Sequence, residues 1–264
     1  MPKKRSYPTK KELLSVGLNV FLTLIWVGAS IIAVQFAVGY LMLWCLGPTN
    51  FIQPVWTAVY SALSYALAMF LIIFIPKKIT SFRKKSSIHK KNLSEPDRIK
   101  IGLRDFPTWT DIGLAPAGFI VYLLIVAALT AIFNFFPWFQ ANEVQEIGFS
   151  TYAIGLDRVI AFVTLVVIAP IAEEVIFRGW LYGKLREKIS ESISEVWSTI
   201  ISIFLVSLLF GIMHGQWNVG VNVFALSIVL CGLREITGTI YAGILLHMLK
   251  NGLAFYLLFV MGVS

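Results

Sequence analysis

Long apolar segments separated by short polar stretches make up most of the chain. No charged residue occurs between Leu13 and Pro76, and further apolar runs fill the C-terminal half. A helix needs about 20 apolar residues to cross a bilayer, so these runs predict membrane-spanning helices. The pattern predicts seven spans, with eight as the alternative, at about 13–46, 55–76, 112–136, 159–188, 195–213, 218–233 and 237–262. We therefore expect an all-α, polytopic membrane helix bundle.

Composition and segment order agree with this pattern. The 264 residues are 58% hydrophobic and only 14% charged, whereas soluble domains are about 25% charged. The predicted order is a basic cytoplasmic tail (1–12), a transmembrane pair (13–76), a basic cytoplasmic loop (77–110) and a C-terminal membrane domain (111–262). The first apolar run is too long for the core of a signal peptide, so we expect a retained helix.

The charges indicate an orientation in the cell membrane. Residues 1–12 hold five basic and one acidic residue, residues 77–104 hold ten and two, and residues 137–158 hold one and three. Lys and Arg gather on the cytoplasmic side, so the N-terminus and the 77–104 loop are predicted inside and residues 137–158 outside. The basic loop is expected to contact anionic lipid headgroups rather than nucleic acid. We expect a multi-pass protein of a cell membrane with a cytoplasmic N-terminus.

The C-terminal apolar segments carry an unusual set of polar residues. A charge at the centre of a spanning helix costs about 2.5–3.5 kcal/mol on insertion scales, so such residues are candidates for function. The set consists of Glu173, Glu174, Arg178, His214, His247, Lys250 and Asn251. The two cysteines, Cys45 and Cys231, form no disulfide framework or zinc motif, and we interpret them as packing residues.

Helical spacing predicts how these residues are arranged. Glu174 and Arg178 are four apart and can pair on one face, while Glu173 is rotated by about 100° and left free. A turn near residue 193 would bring Glu173 and His214 to the same depth, about 30 Å from the turn. His247 and Asn251 also share a face. We expect these groups to meet in a cavity that opens toward the cytosol or sideways toward lipid.

This set suits the hydrolysis of an amide bond by an activated water. A carboxylate can take the proton of a water that a histidine orients, and a second histidine and an amide can stabilise the resulting oxyanion. Glu173, His214 and His247 are also three possible ligands of a divalent metal such as Zn²⁺. The metalloprotease motif HExxH, the GxSxG elbow and a phosphate-binding glycine loop do not occur in the sequence.

Three spaced motifs resemble those of a known family. Glu173-Glu174-x-x-x-Arg178, Phe210-x-x-x-His214 and His247-x-x-x-Asn251, in this order, are similar to the motifs of the CPBP family of CAAX-prenyl-protease and bacteriocin-processing membrane proteins, also called the Abi family. The resemblance covers about residues 111–262. The first two spans carry no motif.

The resemblance implies a role for each motif residue. Glu173 would be the water-activating base with His214 beside it, and His247 and Asn251 would form the oxyanion site. Glu174 and Arg178 would support the site. Family members are commonly labelled metalloproteases, but the glutamate-and-water mechanism needs no metal, and we expect metal-free chemistry.

Substrate and function class leave alternatives open. The implied activity is intramembrane cleavage of a membrane-associated peptide or protein, and the chain resembles the bacterial branch, with bacteriocin or pheromone processing among its roles. One alternative is a non-catalytic scaffold, regulator or bacteriocin-immunity protein of the same fold. A transporter or proton relay is the other, because buried Glu and His residues also serve in those proteins.

Overall fold

Seven long apolar helices form the bundle in the described part of the chain, as the sequence pattern predicts. The computed structural model describes residues 8–51, 53–76, 101–104, 106–143, 145 and 147–262. Within these ranges it contains helices and connections, and no strand. The seven helices, α1 to α7, span Lys10–Leu46, Pro54–Phe74, Trp109–Phe133, Gly155–Ser190, Glu195–Ile212, Trp217–Thr237 and Tyr241–Met261. Their length and composition suit membrane spans, so the prediction of a polytopic helix bundle is confirmed.

The ends of several helices differ from the predicted bounds. Helix α1 begins at Lys10, within the predicted 1–12 tail, because Thr9 and Glu12 form a capping box that satisfies free amide groups at the helix start. Helix α6 continues to Thr237, four residues past the prediction. It ends where Gly238 adopts a left-handed φ of 69°, a conformation that favours glycine. The sixth helix is therefore 21 residues long, enough to cross the bilayer.

The basic loop predicted at 77–110 is described only in part, because residues 77–100 lie outside the described residues. Helix α3 begins at Trp109, where Thr108 and Asp111 form a second capping box. The second carboxylate oxygen of Asp111 accepts a hydrogen bond of 2.8 Å from the hydroxyl of Thr239, in the α6–α7 turn. This contact fixes the start of α3 beside that turn.

Helix α6 lies at the centre of the C-terminal domain and packs against α3, α5 and α7. The α5–α6 crossing is close, since a Cβ atom added to Gly211 would lie 2.9 Å from the carbonyl oxygen of Gly220. At one end of the bundle, Glu235 of α6 accepts hydrogen bonds from Tyr182 (2.6 Å) and Arg186 (3.2 Å) of α4. These contacts join α4 to α6, the central helix of the domain.

The N-terminal pair belongs to the same core. Ile72 of α2 is fully buried and packs in one apolar cluster with Phe177 of α4 and Phe210 of α5. The turn between α4 and α5 covers residues 191–194, where the sequence predicted it. Helices α4 and α5 therefore run antiparallel, with Glu173 and His214 far from their shared turn.

Candidate active site

The two adjacent carboxylates of α4 face different surroundings. Glu174 is fully buried and its Oε1 atom pairs with Nη1 of Arg178 at 3.0 Å, which confirms the predicted pairing of these side chains. Glu173 keeps 16% of its side chain exposed. The sequence interpretation assumed an α-helix, but α4 is π-helical over Glu174–Tyr182. Such wide turns are frequent at functional sites.

His247 of α7 lies between both carboxylates. Its Nδ1 atom is 3.1 Å from Oε1 of Glu174, and its Nε2 atom is 3.7 Å from Oε2 of Glu173. Because a carboxylate accepts hydrogen bonds, Nδ1 carries a proton and donates it to Glu174. This contact orients the ring so that Nε2 points at Glu173. The histidine thus lies between the buried ion pair and the partly exposed carboxylate of Glu173.

Phe210 of α5 packs among the three motifs. The Arg178 guanidinium carbon lies 4.3 Å from the centre of the Phe210 ring, within the range of cation–π attraction. Phe210 also makes edge-to-face contacts with Phe177 and His214, both with ring centres 4.8 Å apart. Its ring centre also lies 6.1 Å from that of His247 on α7, so the motif phenylalanine contacts residues of all three motifs.

His214 follows α5 directly and is held in one tautomer. Its Nδ1 atom lies 2.7 Å from the carbonyl oxygen of Phe210, so Nδ1–H donates and Nε2 is left as an acceptor in the neutral ring. His214 is in the connection between the spanning segments of α5 and α6, and burial lowers its pKa. The ring therefore stays neutral to a lower pH than an ordinary histidine.

Glu173 and His214 share a cavity of about 420 Å³. Its wall also includes Gln35 of α1, Tyr65 of α2 and Gln145 of the α3–α4 connection. The sequence predicted that both catalytic candidates lie at one depth, and their shared cavity agrees with this.

The wall of the cavity includes part of the α3–α4 connection. Gln145 and Ile147 of this connection line the cavity. Charge predicts that this connection is external. With that orientation, the distance of about 30 Å between Glu173 and the α4–α5 turn would put the cavity across most of the hydrocarbon layer from the cytoplasm. The opening toward the cytosol or toward lipid stays a prediction.

The two predicted members of the oxyanion site, His247 and Asn251, are not among the described residues that line this cavity. Asn251 donates a hydrogen bond of 2.9 Å from its amide nitrogen to the carbonyl oxygen of Leu165. Leu165 belongs to another π-helical stretch of α4, Val163–Ile168. The amide therefore connects α7 to α4.

Tyr65 is a site residue that the sequence analysis missed. Its hydroxyl donates a hydrogen bond of 2.6 Å to Oε1 of Glu173, although α2 was interpreted as carrying no motif. A signal was available in α2, since the hydroxyl-bearing residues Ser61, Ser64 and Tyr65 follow helical spacing and all three line the cavity. A polar stripe on a spanning helix indicates a face turned toward protein or water.

Lys250, the remaining member of the predicted set, lies beside the site rather than in this cavity. It lines a second cavity of about 340 Å³, together with Tyr122 and Asn222. The Tyr122 hydroxyl donates to the side-chain oxygen of Asn222 at 2.9 Å. These residues belong to α3, α6 and α7.

The possible metal ligands do not form a ligand set in the described part of the chain. No group of three or more His, Cys, Asp or Glu side chains is arranged there to hold a metal ion. His247 turns Nδ1 to Glu174, and His214 turns Nδ1 to the Phe210 carbonyl. A metal would have to draw both Nε2 atoms and Glu173 together, which the present arrangement does not do.

Fold and site together define a helical membrane bundle in which three consecutive motifs form a cluster of glutamate and histidine side chains. Residues 155–253 match the family model described as type II CAAX prenyl endopeptidase Rce1-like. The match begins with α4 and ends inside α7, so it contains all three motifs. The resemblance to the CPBP family is thereby confirmed over this segment, and the family is one of membrane endopeptidases. No curated protein and no solved structure gave a match.

Proposed function

We propose that the protein is an intramembrane endopeptidase that hydrolyses a peptide bond of a membrane-associated peptide or protein. The observation that supports this most strongly is the shared cavity of Glu173 and His214. A base and an acceptor that face one partly enclosed space are what water activation requires. The family model over the same helices supports the reaction class.

In the proposed reaction a water donates one hydrogen to Glu173 and the other to Nε2 of His214. Its oxygen lone pair then attacks the substrate carbonyl while Glu173 takes the proton. The glutamic acid later returns that proton to the leaving amine, so no covalent enzyme intermediate forms. The tautomer of His214, with Nδ1–H donated to Phe210, leaves Nε2 suited to this task.

His247 and Asn251 are proposed to stabilise the oxyanion. Nε2 of His247 lies 3.7 Å from Glu173. Because Nδ1–H is bonded to Glu174, this nitrogen is proposed to donate to the oxyanion when the ring carries both protons. The Asn251 amide has two hydrogens, and the bond to Leu165 uses one of them. Glu174 and Arg178 support the site, because together they hold the His247 ring in place.

The proposed reaction needs no cofactor. A divalent metal such as Zn²⁺ on Glu173, His214 and His247 is the competing mechanism, and it would polarise the carbonyl or the water. The two mechanisms differ in their response to a chelator and to added metal. For substrates, a bacteriocin or pheromone precursor suits a multi-pass protein of the bacterial plasma membrane.

The test compares membrane proteomes of cells that carry the wild-type chain or Glu173→Gln. Peptides that accumulate uncut only with Glu173→Gln identify the substrate and the cleaved bond. Glu195→Gln is the matched control, because this exposed residue at the start of α5 lies at the opposite end of that helix from His214. Equal proteomes for wild type and Glu173→Gln, with both proteins inserted, would instead favour the scaffold alternative.

A second assay uses the purified full-length chain in liposomes and an equimolar mixture of internally quenched peptides with randomised central residues. Cleavage by wild type but not by Glu173→Gln supports the endopeptidase. Cleavage that survives a chelator supports the metal-free mechanism, whereas loss on chelation and recovery with Zn²⁺ supports the metal mechanism.

A further inference from the structure

The hydrogen bond between Tyr65 and Glu173 joins the N-terminal helix pair to the motif helices. The donor hydroxyl lies 2.6 Å from Oε1 of Glu173, across 108 positions of sequence. Hydrogen bonds from a hydroxyl to an ionised carboxylate are typically 2.5–2.7 Å long and about twice as strong as neutral ones. The contact therefore has the geometry of a charge-assisted bond.

This bond makes the two oxygens of Glu173 unequal. Oε1 accepts from Tyr65, whereas Oε2 lies on the side of His247, 3.7 Å from its Nε2 atom. A glutamate side chain has three rotatable bonds and can otherwise turn its carboxylate freely. Holding one oxygen fixes the plane of the carboxylate and therefore the direction in which the other oxygen accepts a proton.

Helix α2 is itself held firmly enough to serve this purpose. Ala68, one turn from Tyr65, is 3% exposed, and Ile72 is fully buried. Both pack in the cluster that contains Phe177 and Phe210. The backbone that carries Tyr65 is therefore fixed against the helices that carry Glu173 and His214.

We propose that Tyr65 is a positioning residue for Glu173, and that α2 thereby completes a site whose motifs all lie on α4 to α7. This inference rests on the proposed function, because it assigns Glu173 as the base. It also gives the N-terminal pair a part in the reaction, although the family model begins only at residue 155.

The test measures cleavage of the quenched-peptide mixture by Tyr65→Phe in liposomes. This change removes one oxygen atom and keeps the ring. Loss of a hydrogen bond to a charged group corresponds to about a 10- to 100-fold lower kcat, with KM within about twofold of wild type. A merely structural role would lower the amount of folded protein and leave kcat per folded molecule unchanged.

Tyr122→Phe is the matched control. It also removes a hydroxyl that donates between two helices, here to Asn222 at 2.9 Å, but it leaves Glu173 untouched. Its kcat should stay within about twofold of wild type. A wild-type kcat for Tyr65→Phe, or an equal loss for both tyrosine variants, would overturn the proposal.

A stability cycle separates this proposal from the proposed function. Tyr65→Phe should lower the Tm of the wild-type chain, and it should lower it less in a Glu173→Ala background, where the acceptor is gone. Equal Tm losses in both backgrounds would overturn the contact itself. If this coupling is present but the wild-type chain cleaves no peptide, the proposed function is overturned, and with it the positioning role of Tyr65 in the reaction.

Discussion

The Nδ1 atom of His247 lies 3.1 Å from Oε1 of Glu174, the same oxygen that pairs with Arg178 at 3.0 Å. One carboxylate oxygen thus accepts from the first and the third motif at once. Because all three side chains are buried, the position of His247 depends on the ion pair. The supporting role of Glu174 and the reactive role proposed for Glu173 are therefore physically distinct, although the residues are adjacent.

We predict different consequences for the two corresponding substitutions. Glu174→Gln should destabilise the protein by about 3–5 kcal/mol, because it leaves the buried Arg178 without its counterion. Glu173→Gln should abolish cleavage with little loss of stability, since the amide oxygen can still accept from Tyr65. Thermal unfolding can be followed with a thiol dye in a Cys45→Ser background, because Cys231 is buried and Cys45 is exposed.

The same dye assay supplies the contradicting outcome. If both substitutions abolish activity and neither changes the unfolding temperature, the buried Arg178 does not need Glu174 as its counterion for the protein to be stable. Cys45→Ser alone is the reference, and it should unfold and cleave as the wild type does.

Gly243 gives a second test of the buried cluster. A Cβ atom at this position would lie 2.9 Å from Oε2 of Glu174, so Gly243→Ala should cost about 1–3 kcal/mol through forced displacement. Gly232→Ala is the control on α6, where an added Cβ atom would meet no heavy atom within 4 Å. There the helical preference of alanine should make the change neutral or slightly stabilising. Similar unfolding temperatures for the two variants would show that Glu174 can move aside.

Most of the fold could be predicted from the sequence, because a bilayer restricts the backbone to helices that satisfy their own hydrogen bonds. The seven predicted apolar runs therefore correspond to the seven spanning helices found among the described residues. The polar stretch near residue 193 corresponds to the α4–α5 turn. Helix ends were less accurate. The start of α1 depends on the Thr9–Glu12 capping box, whose polar residues carry no hydropathy signal.

The site could be predicted only where its contacts follow helical spacing. Glu174 and Arg178 meet because they are four residues apart, and the motif order brought His214 and His247 into the set. The bond between Tyr65 and Glu173 depends on how α2 packs against α4. The spacing of residues within one helix carries no information about this packing. The position of His247 between the two carboxylates also depends on a tertiary contact.

Asn251 offers a test of the proposed oxyanion site. Removal of an oxyanion donor typically lowers kcat by about 100- to 1,000-fold, so Asn251→Ala should do so with little change in KM. The variant also loses its bond to the Leu165 carbonyl, which should lower the Tm. Asn222→Ala is the matched control, because it removes another interhelical amide contact, that with Tyr122. It should lower the Tm and leave kcat close to wild type. A kcat loss no larger than that of Asn222→Ala would assign Asn251 a structural role alone.

The side of the membrane from which the cavity is reached follows from the predicted orientation. We predict that Asn142→Cys reacts with a membrane-impermeant thiol reagent in intact cells, in a background without Cys45 and Cys231. Asn142 is exposed in the α3–α4 connection, which charge places outside. Ser86→Cys, in the basic loop and outside the described residues, should react only after the membrane is opened. Because Gln145 lines the cavity three residues from Asn142, external labelling of Asn142→Cys would place the cavity in the outer half of the bilayer. External labelling of Ser86→Cys instead would reverse the orientation and place the cavity on the cytoplasmic side, as first expected from the sequence.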